Sequence, residues 1–197
     1  QGLGELLEKL QATDARVVLE RCDTSDEASV VDLLDRVRAS HGPIRVVVHA
    51  AGVLVDAALG KQDAETMSRV WSPKADGAWY LHKHTLQDQE LGAFVMYSSV
   101  ASLFGNVGQA NYSAANAFMD ELAERRVAQG LPGVSVQWPP VLGVGMSAAM
   151  DESVQHGAEF SISVGAVART PQASLQADRT TPAVRCGLPE ARFGMAA

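Results

Sequence analysis

The chain has 197 residues, 47% hydrophobic and 20% charged, and 23 acidic against 16 basic side chains leave a net charge of −7. That balance fits one globular domain with enough apolar mass for a core, and an acidic chain without a Lys/Arg cluster lacks the electrostatic footprint of a nucleic-acid or anionic-membrane binder. No apolar run approaches the roughly 18 residues that span a bilayer, no signal peptide is recognisable at the start, and Cys22 and Cys186 are too few for a disulfide scaffold, so a reducing, cytoplasmic setting is expected.

In chain order, Leu3, Leu6, Leu7 and Leu10 follow an i, i+3, i+4, i+7 pattern and predict an amphipathic helix over 1–11. Gln1 has no initiator Met before it, and a helix begins at once, so the chain is expected to be a piece of something longer. Residues 16–21 (Arg-Val-Val-Leu-Glu-Arg) read as a strand. Ser25 or Asp26 is placed to cap a second helix through about His41, with Val30, Leu33, Leu34 and Val37 on one face and Gly42-Pro43 as its stop. Residues 44–49 are nearly continuous and β-branched, as a strand covered on both faces requires. A helical stretch over 64–86 contains Pro73 and Gly77, so a kink or break is expected inside it. Residues 93–97 predict another buried strand, 110–129 a helix ended by Gly130 and Pro132, and 134–138 a further strand stopped by Pro139-Pro140. From about Ser147 the periodicity fades, and the tail is expected to be loosely packed or partly disordered, with no strand or helix assigned. Strands alternating with helices predict an α/β fold with a doubly wound parallel sheet, whose ligands sit beyond the carboxyl ends of the strands.

Chemistry-bearing residues fall at those strand ends. Ser98 and Ser99 follow the 93–97 run. Tyr112 and Asn116 stand i, i+4 on one face near the start of the long helix. His49 is read as a packed strand-end histidine rather than a base, and neither cysteine has partners at metal-ligand spacing, so no zinc site is assigned.

The segment Tyr112-Ser-Ala-Ala-Asn116-Ala, preceded by Ser99 and by 105–111 (Gly-Asn-Val-Gly-Gln-Ala-Asn), resembles the short-chain dehydrogenase/reductase superfamily. More closely, it is similar to the ketoreductase domain of modular polyketide synthases and related fatty-acid synthases. Most short-chain reductases carry Lys where Asn116 stands. The polyketide ketoreductases place that Lys upstream in a Pro-Lys-x-x-Gly-Ala-Trp segment, and this chain has Pro73-Lys-Ala-Asp-Gly-Ala-Trp79. Cys22-Asp-Thr-Ser-Asp26, Val48-His-Ala-Ala-Gly-Val53 and Tyr97-Ser-Ser-Val-Ala-Ser102 match too. The resemblance covers residues 1–150 and leaves 151–197 as a poorly defined tail.

The resemblance implies a Rossmann-like fold and hydride transfer from NADPH to the C3 ketone of a β-ketoacyl chain held on the phosphopantetheine of an acyl carrier protein. Neighbouring synthase domains are the other implied partners. Tyr112 would donate the proton, Ser99 a second hydrogen bond, and Lys74 would favour the phenolate and hold the nicotinamide ribose, with Asn116 positioning Lys74 or a water. Asp23 would reach the adenine, and Ala50, Ala51 and Gly52 would form the turn passing close to the cofactor. Asp56 occupies the last position of a Leu-Asp-Asp stretch whose middle residue is here Val55. Phe104 stands where members of opposite outcome have Trp, and Asn111 belongs to the same substrate-side group. Together they imply a D-3-hydroxyacyl product.

Two departures stand out. Residues 138–141 (Trp-Pro-Pro-Val) replace the family's Trp-Gly-Pro-Trp ahead of Gly145-Met146. The strand–G-x-G-x-x-G–helix fingerprint that holds a dinucleotide pyrophosphate is also missing, so the first βαβ unit is expected to lie upstream of Gln1. Lack of that loop leaves an alternative, a non-catalytic, reductase-like structural domain of a multidomain synthase.

Overall fold

The computed structural model describes residues 3–141 and 183–186. Helix α1 (Leu3–Gln11) is followed by a stretch over 16–21 that has no regular secondary structure and joins no strand of the sheet. This corrects the strand expected there. β-branched residues favour a strand only where a neighbour supplies ladder bonds and covers the side chains, and Val18 and Leu19 remain 46% and 60% exposed.

Asp26 is the cap of α2 (Glu27–His41): its carboxylate accepts from the Ala28 and Ser29 amides, and Gly42 at φ +87° closes the other end. The next strand, β1 (Val46–His49), begins two residues later than the apolar run suggested. The stretch over 64–86 is three pieces. Asp63 and Thr66 form a capping box that starts α3 (Ala64–Trp71). At Pro73, which has no amide hydrogen, the backbone widens into a π-helical turn (Ser72–Asp76), and α4 (Gly77–His84) resumes beyond it. Gly77 is demanded by close approach, since a Cβ there would stand 3.0 Å from the Thr24 carbonyl oxygen and 3.2 Å from His49 Cε1.

The chain continues through β2 (Ala93–Ser99), the short α5 (Ala101–Phe104), α6 (Ala110–Ala128) and β3 (Val134–Trp138). In the tail, where no element was expected, β4 (Val184–Cys186) adds a strand; three residues are too few to carry a readable pattern. The four strands are parallel in the order β1-β2-β3-β4, with Val48 opposite Val95, Val95 opposite Val134, and Ser135 opposite Val184. Parallel strands joined by helices are the α/β arrangement expected, with the Rossmann-like sheet present in part.

Phe94 and Met96 of β2 enter a core with Val30 and Leu34 of α2, Ala78 of α4, and Met119, Leu122 and Ala123 of α6. The alternate residues Ala93 and Val95 pack with Val134, Val136 and Trp138 of β3. β2 is therefore apolar on both sides, which explains its unbroken hydrophobic run. Arg126 lies inside this packing, 3.9 Å over the Phe94 ring, donating to the Pro132 carbonyl and 2.8 Å from His82 Nδ1. Among the described residues no helix is long and apolar enough to cross a membrane.

Candidate active site

Because the strands are parallel, the carboxyl ends of β1, β2 and β3 open on one edge of the sheet, and the π-helical turn and the start of α6 face that edge. Lys74, in the π turn, is only 2% exposed. Its Nζ donates to the Tyr97 carbonyl at 2.9 Å and lies 5.2 Å from the centre of the Tyr112 ring. Gly52 flanks the same ammonium, for a Cβ on it would stand 3.5 Å from Nζ. Burial drives the Lys74 pKa down from 10.5 to about 8, while the negative charge of Asp120 acts in the opposite sense.

Tyr112, 8% exposed, has its phenol pKa raised chiefly by burial; the Asn116 and Ser99 side chains pull it back, and the Asp56 carboxylate adds to the rise. Ser99 Oγ accepts the Ala101 amide at 3.1 Å, which leaves its own proton free to donate. Asn116 is fully buried. Its Nδ2 donates to the Tyr112 carbonyl at 2.8 Å, and its Oδ1 is a buried acceptor without a partner. Such an atom costs free energy unless something fills the space against it.

Three further side chains, unassigned or dismissed from sequence, buttress these residues. His49 Nε2 donates to the Lys74 carbonyl at 2.8 Å; its pKa is pushed by burial from 6.5 to about 4, so the ring is neutral at neutral pH. Gln109 donates to both Asp56 oxygens at 3.2 and 3.1 Å. Asp120 accepts from Ser102 Oγ, Ser135 Oγ and Gln137 Nε2 at 2.6, 2.5 and 2.9 Å. Only Asp120 left a signal in the sequence, falling one helical turn after Asn116 on the same face of α6.

Asn111 is fully buried, its Nδ2 donating to the Val55 and Thr66 carbonyls and its Oδ1 accepting the Tyr112 amide. It clamps the Val55–Asp56 loop to the start of α6, so any influence on a substrate runs through that loop. Asp56 and Ala50 are exposed, Ala51 is half-buried, and Phe104 is 65% exposed at the end of α5. Asp23 stands apart beside α2, in an open groove of about 570 Å³ with Cys22 and Ser29, and its Oδ1 accepts from both the Ser25 amide and hydroxyl, which lower its pKa. In the Trp138-Pro139-Pro140-Val141 departure, the Trp138 ring lies 5.3 Å from that of Tyr97 at a tilt of 56°, whereas Gly145 and Met146 lie outside the described residues.

The donor set fits the ribose end of a nicotinamide cofactor. A buried ammonium with protons to spare, a phenol beside it, an unspent amide oxygen and a glycine wall are the groups a pair of vicinal hydroxyls would meet.

The KR-domain family model matches residues 2–143. The NorB protein of the spectinabilin polyketide synthase system of Streptomyces orinoci is 46% identical over 157 residues, covering 78% of this chain and 7% of that protein. The polyketide synthase component PikAII of Streptomyces venezuelae, a pikromycin synthase protein, is 44% identical over 70% of this chain and 4% of its own length. Among solved structures, the PlmKR1 ketoreductase from the first module of phoslactomycin biosynthesis in Streptomyces sp. HK803 superposes with a TM-score of 0.83 at 34% identity, covering 98% of this chain and 45% of that one. The first ketoreductase of the tylosin synthase gives 0.75 at 36% identity over 86% of this chain and 37% of its own. The chain thus spans under a tenth of those two synthase proteins and less than half of either solved ketoreductase.

Proposed function

This chain belongs to the KR-domain family, the ketoreductases of modular polyketide synthases within the short-chain dehydrogenase/reductase superfamily, and from that footing we propose that it reduces the C3 ketone of a β-ketoacyl thioester carried on the phosphopantetheine arm of an acyl carrier protein. The product is a 3-hydroxyacyl thioester. NADPH is the proposed cofactor, and when bound it supplies the hydride for the ketone carbon. Lys74, Tyr112 and Gly52 would hold its ribose, Ala50 and Ala51 the adjoining turn, and Asp23 the adenine.

The observation that carries the reading is the buried Lys74 ammonium set 5.2 Å from the Tyr112 ring, with the Asn116 acceptor unspent beside it. Reduction places negative charge on the former carbonyl oxygen, and donors already in position lower the barrier most. Tyr112 gives its proton to that oxygen, and the Ser99 hydroxyl, with its proton uncommitted, gives a second hydrogen bond. Lys74 then stabilises the phenolate electrostatically. Asn116 Oδ1 holds the water or the Lys74 proton that restores Tyr112. Asp56, fixed by Gln109, and Phe104 bound the substrate side and favour the D-3-hydroxyacyl outcome.

The test is NADPH oxidation with a β-ketoacyl thioester analogue, on the complete polypeptide that carries this chain, against Tyr112→Phe. Losing a positioned general acid should cost at least about a hundredfold in rate. Equal turnover in the two proteins refutes the proton donor. A folded parent that neither binds the nucleotide nor reduces the ketone leaves the non-catalytic structural role as the better reading.

A further inference from the structure

We propose that Asp120 is a positioning residue of this site: its carboxylate fixes the turn that bears Ser99 against α6 and β3, and places a negative charge on the α6 face that carries Tyr112 and Asn116. The inference rests on the ketone-reducing reading above and adds a residue outside Lys74, Ser99, Tyr112 and Asn116.

Asp120 stands two helical turns beyond Tyr112 and one beyond Asn116, so all three share a face of α6. Its two oxygens gather donors from two other elements: Ser102 Oγ of α5 at 2.6 Å, and Ser135 Oγ and Gln137 Nε2 of β3 at 2.5 and 2.9 Å. Ser135 is fully buried and Gln137 is 8% exposed, so these bonds form away from bulk water. Ser102 Oγ also lies 2.8 Å from the Ser99 carbonyl oxygen and accepts Gln137 Nε2 at 3.1 Å. With the single Ser102 hydroxyl proton given to the carboxylate, Asp120 ties α5, which begins two residues after Ser99, to the helix that carries Tyr112. Without it, Ser102, Ser135 and Gln137 lose their common acceptor.

The second role follows from what surrounds Lys74. The ammonium is 2% exposed, and its hydrogen-bond partner is the neutral Tyr97 carbonyl. From β1, His49 reaches the Lys74 backbone as a neutral ring. From α6, Tyr112 presents a neutral phenol whose own titration is raised by burial. Asp56, across the site, acts on Tyr112. The charge that favours the ammonium is Asp120, opposing the burial that would deprotonate it. Any function that needs the ammonium is present below the Lys74 pKa of about 8 and lost as pH rises through it, so removing Asp120 moves that loss to lower pH.

Asp120→Asn and Asp120→Ser in the complete polypeptide, whichever melts cooperatively, provide the neutral variants; Asp120→Glu restores the charge and Ser135→Ala deletes one bond while keeping it. Two pH profiles are read: kcat for ketone reduction, and the NADPH dissociation constant by cofactor fluorescence. The alkaline limb of both should move down by about half a pH unit or more in the neutral variant, return with Glu, and stay in place in Ser135→Ala. A neutral variant whose limbs coincide with the parent's, or a Ser135→Ala that shifts them equally, overturns the proposal while leaving the ketoreductase reading intact. A parent that reduces no ketone overturns both.

Discussion

Replacing Lys74 by Met should make the folded state more stable while abolishing the chemistry. The side chain is 2% exposed, and burial holds its pKa at about 8 against 10.5 in the unfolded chain. Each tenfold change is worth about 1.4 kcal/mol, so a charged Lys74 costs the fold about 3 kcal/mol at neutral pH. The sign follows from proton counts. Between pH 8 and 10.5 the unfolded chain binds more protons than the folded one, so parent stability rises with pH across that window. Met keeps the length of the stem and removes the charge. It also forfeits the 2.9 Å bond to the Tyr97 carbonyl, returning about 1 kcal/mol. The net expectation is a variant roughly 2 kcal/mol more stable than the parent at pH 7, with the advantage gone by about pH 10. Urea unfolding of this domain at both pH values measures the difference, and NADPH-dependent ketone reduction should fall at least about a hundredfold. A variant less stable than the parent at pH 7, or one whose advantage persists undiminished at pH 10, would refute the reasoning.

His49 and His82 are both held near 4, His82 by burial and by the Arg126 and Arg125 charges, so stability should decline as pH falls from 6.5 toward 4, by about 2 kcal/mol per histidine at pH 5. Urea titrations of His82→Gln should show a shallower decline than the parent, and equal slopes would remove His82 from the account. Gly77→Ala places a methyl 3.0 Å from the Thr24 carbonyl oxygen and should cost about 1–3 kcal/mol, read as a lowered melting temperature. No loss of stability would mean that α4 moves away freely. Asp56→Ala should erode a D-3-hydroxyacyl preference seen in the parent on chiral chromatography; a parent giving purely L product defeats the stereochemical assignment.

The sheet was legible where burial is two-sided. Residues 93–97 and 134–138 are unbroken apolar runs because β2 and β3 are packed on both faces, and they became strands. α2 and α6 announced themselves through Asp26, Gly42 and Gly130. Elements whose existence depends on a partner were not legible. Val17, Val18 and Leu19 have strand composition yet pair with nothing among the described residues, while Val184–Cys186 becomes a strand only because β3 lies beside it, with the Ser135 amide donating to the Ala183 carbonyl. Pro73 foretold an interruption, but that the break would take the form of a π turn, with Thr24 Oγ1 and His49 Nε2 bonding the Pro73 and Lys74 carbonyls, is set by residues far away in sequence.

The site follows the same division, with one informative difference. The Tyr112–Asn116 spacing is local to one helix and could be read directly, whereas Lys74 was found through resemblance because its contact with Tyr112 crosses elements. His49 and Gln109 act on Lys74 and Asp56 in the same cross-element way, and nothing in their own neighbourhood says so. α6 shows why a polar site hides in a hydrophobic pattern. Its buried side chains include Asn111, Tyr112, Asn116 and Arg126 as well as Met119, Leu122 and Ala123, so the inward face is not an apolar stripe. A helix built only for packing would have placed aliphatic residues there, because each buried polar group must find a partner or lower stability. Apart from Arg126, stacked over Phe94 at the far end of the helix, the departures are not scattered. Asn111, Tyr112 and Asn116 occupy the end of α6 that faces the carboxyl edge of the sheet, next to Lys74 and Gly52, and Asn116 Oδ1 among them is left unpartnered. A long helix whose buried face turns polar at that end, while its remainder packs a core, is a position from which chemistry can be inferred before any motif is matched.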